Sequence, residues 1–475
     1  MALEIDTAYV AGKWIATSGQ TVDVRDSATE ETVARVRHAE SAQIDLAVTA
    51  ARAAAPGWAT TPVAERAALL LRLADAVDAR ADDFRRVAAQ DVGTTTRDLP
   101  WHAEGTTAVL RAAAEASAQV EWRSQIATAR VEQRPVGTVA SLTPWNVPLM
   151  MINCKLAPAL VTGNTVVLKH SEVAPQAGAL YAEVVDEVGM PPGVINVLTG
   201  GPDAGRALTE HPGVDMVAFT GSTATGRQIM ASAAGSLKKV LFELGGKNAH
   251  LVLPDADLPA AVAAAVESTM RNNGQLCLAT TRLLVPRDHQ DEAVAIAAEL
   301  ARAYVVGDPR DGAVTLGPLT SAAHRDRVRA MLVRGIADGA TLVTGGPETP
   351  DGLDRGFFIR PTVLCDVPRD NVLAQEEIFG PVLTVQPYDG EDDAVVLAND
   401  TVYGLWGAVW SDDGEHANAI AARLHAGGVE INSASWDPRV PTGGIRQSGF
   451  SREGGVPGLH EYLLSQARFQ PAAAR

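Results

Sequence analysis

Met216-Val217-Ala218-Phe219-Thr220-Gly221-Ser222-Thr223-Ala224-Thr225-Gly226 sets an apolar run of strand length against a glycine-containing turn that opens helix-compatible sequence. A short apolar run bounded by turn residues fits a strand buried on both faces. Glycines in such a turn let a ligand approach the backbone, and the first-turn amides and helix dipole favour a diphosphate. The stretch is not G-x-G-x-x-G. Arg227-Gln228 also stand where a Walker A loop needs Lys-Ser/Thr. A plain structural turn fits these residues as well as a phosphate site does.

The alternation continues outward. Thr138–Leu142, Thr165–Leu168 and Val194–Leu198 are further candidate buried strands, separated by helix-compatible pieces such as Gln176 to Val188. Strands alternating with helices indicate parallel βαβ units and a doubly wound sheet. A second series follows: His250–Leu253, a helix around Ala260, Arg282–Val285, Gln290–Val305 and Pro381–Gln386. Upstream, residues 1 to about 40 read as short strands and turns. Ser41 to Ala118 carries helical spacing, with Ala64, Ala67, Leu70, Leu71 and Ala74 on one face. Trp122 to Pro135 alternates, is partly charged and ends in proline, which suits an exposed ribbon. The expected fold class is α/β, with two successive α/β domains and a cleft between them.

The bulk properties agree. At 475 residues the chain exceeds the size of one core. Apolar residues make up 46% and charged residues 20%, an ordinary globular balance. A net charge of −17 argues against binding to nucleic acid or anionic lipid. No run of 18 apolar residues suggests a membrane span, and the N-terminus lacks the pattern of a signal peptide. Three widely spaced cysteines fit a reducing compartment, expected to be the cytoplasm, and lack the spacing of a zinc site, so no metal is expected.

Four polar constellations stand out. Cys277 follows Asn272-Asn273-Gly274-Gln275-Leu276 between a helix and a strand, where a thiol is either an exposed nucleophile or a small buried hydrophobe. Glu243 sits among apolar neighbours in Leu241-Phe242-Glu243-Leu244-Gly245-Gly246-Lys247; desolvation would suit it to general-base work, and an ion pair with Lys247 is the structural alternative. Asn146, between Pro144 and Pro148, is a fixed amide suited to stabilising an oxyanion, or a rigid polar turn. Lys169 and Glu172 follow the strand ending at Leu168, where ligands bind in open α/β sheets, or else form a plain solvated strand end.

In combination and order these motifs resemble the aldehyde dehydrogenase superfamily, of the NAD(P)-dependent, hydrolytic, non-acylating type. The resemblance is carried by Thr143-Pro144-Trp145-Asn146, Leu168-Lys169-x-Ser171-Glu172, Phe219-Thr220-Gly221-Ser222-Thr223, Glu243-Leu244-Gly245-Gly246-Lys247 and Gly274-Gln275-x-Cys277. Glu376-Glu377-Ile378-Phe379-Gly380-Pro381, Ala398-Asn399 with Tyr403-Gly404-Leu405, and Pro441-x-Gly443-Gly444 with Ser448-Gly449 extend it from about Tyr9 to Leu463. It implies an oxidoreductase with two Rossmann-like domains and a β-rich oligomerisation arm. The NAD-binding domain would be 1–118 and 137–245, the catalytic domain 246–445, and the arm 119–136 with 446–475. Cys277 would be the nucleophile, Glu243 the base, Asn146 the oxyanion donor and Lys155 an assistant to proton relay. Trp145, Lys169, Glu172, Gly201, Gly221, Ser222, Leu244, Glu377 and Phe379 would line the cofactor site. Glu172 would repel a 2′-phosphate, favouring NAD over NADP. The resemblance also implies a thiohemiacetal and a thioester on Cys277, and a homodimer or homotetramer.

The substrate side departs from acetaldehyde-type members. Val147, Cys154 and Thr442 stand where those members carry aromatics, and Met151, Leu276, Leu278 and Trp436 complete the expected tunnel. A wider tunnel suits a medium, hydrophobic or aromatic aldehyde. Arg271, six residues before Cys277, resembles the arginine that grips a carboxylate in succinate-semialdehyde dehydrogenases; the second arginine of that pair would fall at Cys154. A carboxylated substrate is therefore the alternative. A non-catalytic structural or binding member is the remote one, since Cys277, Glu243 and Asn146 are all present. A cysteine hydrolase would need a histidine partner, and the one histidine inside these motifs, His170, is far from Cys277 in sequence.

Overall fold

The structure, a computed structural model, describes residues 2–103, 105–434 and 436–471. Two seven-stranded sheets dominate it. In the first, Lys239–Glu243, Met216–Thr220, Thr138–Thr143, Thr165–His170 and Ile195–Leu198 run parallel in that order. The hairpin Thr7–Val10 and Lys13–Ala16 extends the sheet antiparallel beyond Ile195–Leu198. Alternate residues of each strand enter different cores. Met216 and Ala218 join a cluster with Leu70, Ile152 and Val184, while Val217 and Phe219 join one with Ile44, Val48 and Ile229. Burial on both faces is why these strands read as continuous apolar runs.

The second sheet orders Thr341–Thr344, Thr362–Cys365, Val382–Tyr388, Arg282–Pro286, Ala249–Val252, Trp406–Trp410 and Gly428–Ile431, parallel except at the Thr341–Thr344 edge. The helical region 41–118 resolves into Ser41–Thr60, Val63–Ala79, Ala81–Asp91, Leu99–Ala103 and Thr107–Ser117.

Arg123–Ile126, Ala129–Pro135 and Leu463–Phe469 form a separate antiparallel ribbon. Among the described residues of the C-terminal segment, Leu463–Phe469 supplies its third strand and the Gln470 amide donates to the Thr128 carbonyl at 3.2 Å. Residues 446–462 lie against the first sheet instead: Glu243 bridges Gly449, the Leu244 amide donates to the Ser448 carbonyl at 3.0 Å, and helix Gly455–His460 packs on Thr107–Ser117 and Pro148–Val161. Met1, Glu104, Ser435 and 472–475, which the expected domain boundaries include, lie outside the described residues. Among the described residues no helix is long and apolar enough to cross a membrane.

Candidate active site

Cys277 sits in a turn whose backbone no ordinary sequence would adopt. Asn272, Asn273 and Gly274 are consecutively left-handed, at φ 50°, 60° and 77°. Asparagine tolerates that region because its short side chain can bond locally, and glycine has no β-carbon to oppose it. At Gly274 a β-carbon would also run into the Gly380–Pro381 backbone. The buried amides hold the turn from outside. Asn273 Nδ2 donates to the Gly93 and Pro318 carbonyls at 2.8 and 2.9 Å, and Gln275 Oε1 accepts from the Thr320 amide at 2.9 Å. Asn248 Nδ2 donates to the Cys277 carbonyl at 2.8 Å. The thiol is half-buried, and desolvation together with the carboxylates of Glu377, Glu243 and Glu453 pushes it up to about 12.

Asn146 is 5% exposed and gives one Nδ2 proton to the Gln275 carbonyl at 2.9 Å, two residues from the thiol. Its own carbonyl accepts from Asn272 Nδ2 at 2.9 Å. The amide is thus held against the nucleophile's turn.

Glu243 ends strand Lys239–Glu243, and its Oε1 is buried without a hydrogen-bond partner. Burial, and next the Glu453 carboxylate, hold its carboxyl well above the usual range, while Lys155 and Arg452 oppose the shift. The sequence-level alternative, a Glu243–Lys247 ion pair, is not what the fold makes: Lys247 Nζ is buried with no hydrogen-bond partner. Lys155 is fully buried on helix Pro148–Val161 and donates to Glu453 Oε1 at 2.6 Å. Sequence reading missed Glu453. Its signal is faint, a charged pair Arg452-Glu453 before Gly454-Gly455, where φ is 83° and 56°.

Val147, Met151 and Cys154 recur at helical spacing before and along Pro148–Val161 and share an apolar cluster with Leu276 and Trp436. Trp436 Nε1 donates to Thr442 Oγ1 at 3.4 Å, and Thr442 pairs by its backbone with Glu453. A cavity of about 30 Å³ lies between Cys154, Trp436, Glu453 and Val109, where a larger side chain at 154 would fit. Leu278 is half-buried in the same turn as the thiol. Arg271 is exposed and paired with Glu267 at 3.5 Å one helical turn earlier, within electrostatic reach of Asp98 and Glu430. The fold does not place it in the apolar cluster with the other substrate candidates.

The cofactor candidates gather at the carboxyl ends of the first sheet's strands. Lys169 Nζ donates to Glu172 Oε2 at 2.8 Å, and parallel pairing sets Lys169 beside Leu198, three residues before Gly201, which caps helix Pro202–Glu210. Gly221 precedes Ser222, whose hydroxyl caps helix Thr223–Ala234 by accepting from the Thr225 amide at 3.2 Å. Glu377 accepts from the Gly246 amide at 3.1 Å, and burial raises it to about 7. Trp145 and Phe379 meet edge-to-face at 5.5 Å with His324 against both. Leu244 turns its side chain into the core with Phe219 and Phe242. A helix N-terminus, a cation–carboxylate pair at the end of one strand and a half-buried carboxylate beside a glycine backbone fit a dinucleotide. His102, His170, His250 and His324 bond to Asn272, Thr143, Thr280 and the Phe379 carbonyl, so none of these four activates the thiol.

Residues 14–467 match the model of the aldehyde dehydrogenase family. The chain is 40% identical over 463 residues to a 3-succinoylsemialdehyde-pyridine dehydrogenase of a Pseudomonas species, covering 97% of each. It is 40% identical to the 2-hydroxymuconic semialdehyde dehydrogenase of Pseudomonas sp. strain CF600, covering 96% of this chain and 97% of that one. Among solved structures, a mutant of aldehyde dehydrogenase C from Pseudomonas syringae in complex with NAD+ and octanal superposes with a TM-score of 0.97 at 40% identity, over 99% of this chain and 98% of that one. The NAD+ complex of a Mycobacterium tuberculosis aldehyde dehydrogenase also gives 0.97 at 40% identity, over the full length of both.

Proposed function

The chain belongs to the aldehyde dehydrogenase family, and from that premise we propose that it oxidises medium-sized hydrophobic or aromatic aldehydes to their acids, with Cys277 as nucleophile. The enzyme is NAD-dependent. The observation that carries the substrate reading is the apolar wall of Val147, Met151, Cys154, Leu276 and Trp436 beside the thiol's turn. At Val147 and Cys154 the wall carries small side chains where a bulky ring would narrow it. Octanal bound in the Pseudomonas syringae neighbour, and the pyridine ring in the first relative's name, support the same class.

The residues divide the chemistry. Cys277 loses its proton and adds to the aldehyde carbon, giving a thiohemiacetal whose oxyanion the second Nδ2 proton of Asn146 and the Cys277 amide hold. Bound NAD supplies the hydride acceptor, and Lys169, Glu172, Glu377, Trp145 and Phe379 are the residues that would hold it. The acyl group remains on Cys277 as a thioester. Glu243, its proton affinity raised by burial, takes a proton from water, and that water releases the acid. Lys155 and Glu453 set the charge around Glu243.

A carboxylated substrate has one observation in its favour: one relative is named a 2-hydroxymuconic semialdehyde dehydrogenase, and a muconic semialdehyde keeps one carboxylate. Against it, Arg271 already faces Glu267 and lies near Asp98 and Glu430, so an anion there would meet three carboxylates. The test is kcat/KM for octanal, benzaldehyde and succinate semialdehyde, with and without Arg271→Ala. Octanal or benzaldehyde leads in the intact enzyme; a lead for succinate semialdehyde that Arg271→Ala removes would refute the reading. Cys277→Ala abolishes NADH production with every aldehyde. We also propose that the ribbon, which exposes Ile126, Leu464 and Phe469, joins copies into a homodimer or homotetramer; a monomer in light scattering rejects this.

A further inference from the structure

We propose that His102 is a positioning residue that aims Asn146, acting through Asn272. The inference rests on the reading of Asn146 as an oxyanion donor. His102 belongs to the short helix Leu99–Ala103, is 3% exposed, and stands edge-on to Trp101 at 5.3 Å. Its Nε2 lies 3.0 Å from Asn272 Oδ1. That oxygen only accepts, so Nε2 carries the proton and the ring is the neutral Nε2–H tautomer. Burial holds the imidazole at about 4, so the donor persists through the neutral range.

Asn272 is thereby oriented. Its Oδ1 accepts from His102 and also from Thr94 Oγ1 at 3.1 Å, and its amide nitrogen is pinned by Asp98 Oδ2 at 3.0 Å. With two donors on the oxygen, a flipped amide would set N–H against N–H and O–H, so Nδ2 faces the Asn146 carbonyl. Asn146 is held at its main-chain carbonyl by Asn272 and at one side-chain amide proton by the Gln275 carbonyl. The remaining proton has a fixed direction. His102 Nδ1 is buried with no partner. An apolar side chain of similar size would avoid that unpaired lone pair and lose the donor. The imidazole therefore makes one bond, toward the residue behind the oxyanion site, and no competing one.

The test is a double-mutant cycle of His102 with Asn146, read as kcat for octanal oxidation and as NAD affinity. His102→Leu lowers kcat by about fivefold to tenfold, the loss expected for one neutral hydrogen bond, with KM and NAD affinity held. His102→Gln, whose amide can donate to the same oxygen, recovers most of it. In an Asn146→Ala background, His102→Leu changes kcat by less than about twofold, because there is no longer an amide to aim. Thr94→Val, removing the other donor without touching the helix, shows the same non-additivity if His102→Leu folds poorly. Equal losses in both backgrounds, or Gln no better than Leu, overturn the inference while leaving Asn146 its role. An Asn146→Ala enzyme with undiminished kcat overturns the role of Asn146 and the inference with it.

Discussion

Lys155 and Glu453 form an ion pair at 2.6 Å, the lysine fully buried and the glutamate side chain 17% exposed, and both act on the Glu243 carboxyl. Breaking the pair from either side perturbs Glu243 in opposite directions. Glu453→Gln removes a negative neighbour and leaves Lys155 uncompensated, so the carboxylate form of Glu243 is favoured and its pKa falls. Lys155→Met leaves Glu453 uncompensated, and the pKa of Glu243 rises. Glu243 Oε1 bonds to neither, so the relevant separation is that of unbonded neighbours. At an effective dielectric near 20, a unit charge beyond hydrogen-bond distance is worth roughly 2–3 kcal/mol, or about 1.5–2 pH units.

The base form of Glu243 exists above its pKa. The acid limb of acyl-enzyme hydrolysis therefore moves to lower pH in Glu453→Gln and to higher pH in Lys155→Met. The measurement is the rate of thioester breakdown by stopped flow from pH 5 to 10, after the NADH burst. Removing one partner of a buried pair also costs about 3–5 kcal/mol of stability, so urea titrations accompany the kinetics. The double variant, with no charge left at either position, recovers much of that loss. Limbs that move together, or lie less than about half a unit apart, would refute the coupling of this pair to Glu243.

Three further outcomes are expected. Alkylation of Cys277 by iodoacetamide in the absence of cofactor rises about tenfold per pH unit from 7 to 10 without a plateau, since burial and three carboxylates hold the thiol at about 12; Glu377→Gln accelerates it at fixed pH, and a plateau below pH 9 would contradict the assignment. Gly274→Ala loses about 3 kcal/mol or more by urea denaturation, or keeps the fold with turnover largely gone, because φ is 77° and the Gly380–Pro381 backbone occupies the β-carbon's place; a variant matching the parent in both measurements rejects this. Glu172→Gln raises the NADP-to-NAD ratio of kcat/KM by about tenfold or more, since a carboxylate facing a 2′-phosphate costs several kcal/mol; an unchanged ratio removes Glu172 from cofactor choice.

The centre of the first sheet was legible because its strands are buried on both faces and carry apolar runs between helices; the edge strand Lys239–Glu243, half-buried at its ends, carries no such mark. The second sheet was legible only in its middle. Gly428–Ile431 is half-buried throughout and holds Glu430, which accepts from Trp406 Nε1 at 2.9 Å, so neither an apolar run nor a clean alternation marks it. The site shows the same division. Cys277, Glu243 and Asn146 announce themselves through the glycines and prolines around them. Glu453 lies in a charged, glycine-flanked stretch that looks solvated, and only the tertiary fold brings it to Lys155 from 298 residues away. His102 has no local mark either, because its one partner comes from a different domain-scale layer. The neutralisation of Arg271 was readable, since Glu267 lies four residues before it on a predicted helix.

The ribbon has a consequence for how the molecule is made. Its strand Ala129–Pro135 pairs with Leu463–Phe469 in an unbroken register, Pro135 with Leu463 through Ala129 with Phe469. More than 320 residues separate the partners, and both α/β sheets lie in or beside that interval. Such a closure adds entropy cost only slowly with length, but it cannot begin before Leu463–Phe469 has been made. During synthesis the nascent chain has Cys277 and most of both cores out of the ribosome while Ala129–Pro135 still lacks its outer neighbour. Ala129–Pro135 is paired on one side alone until Leu463–Phe469 has been made, and any joining of copies through the finished ribbon waits for that strand.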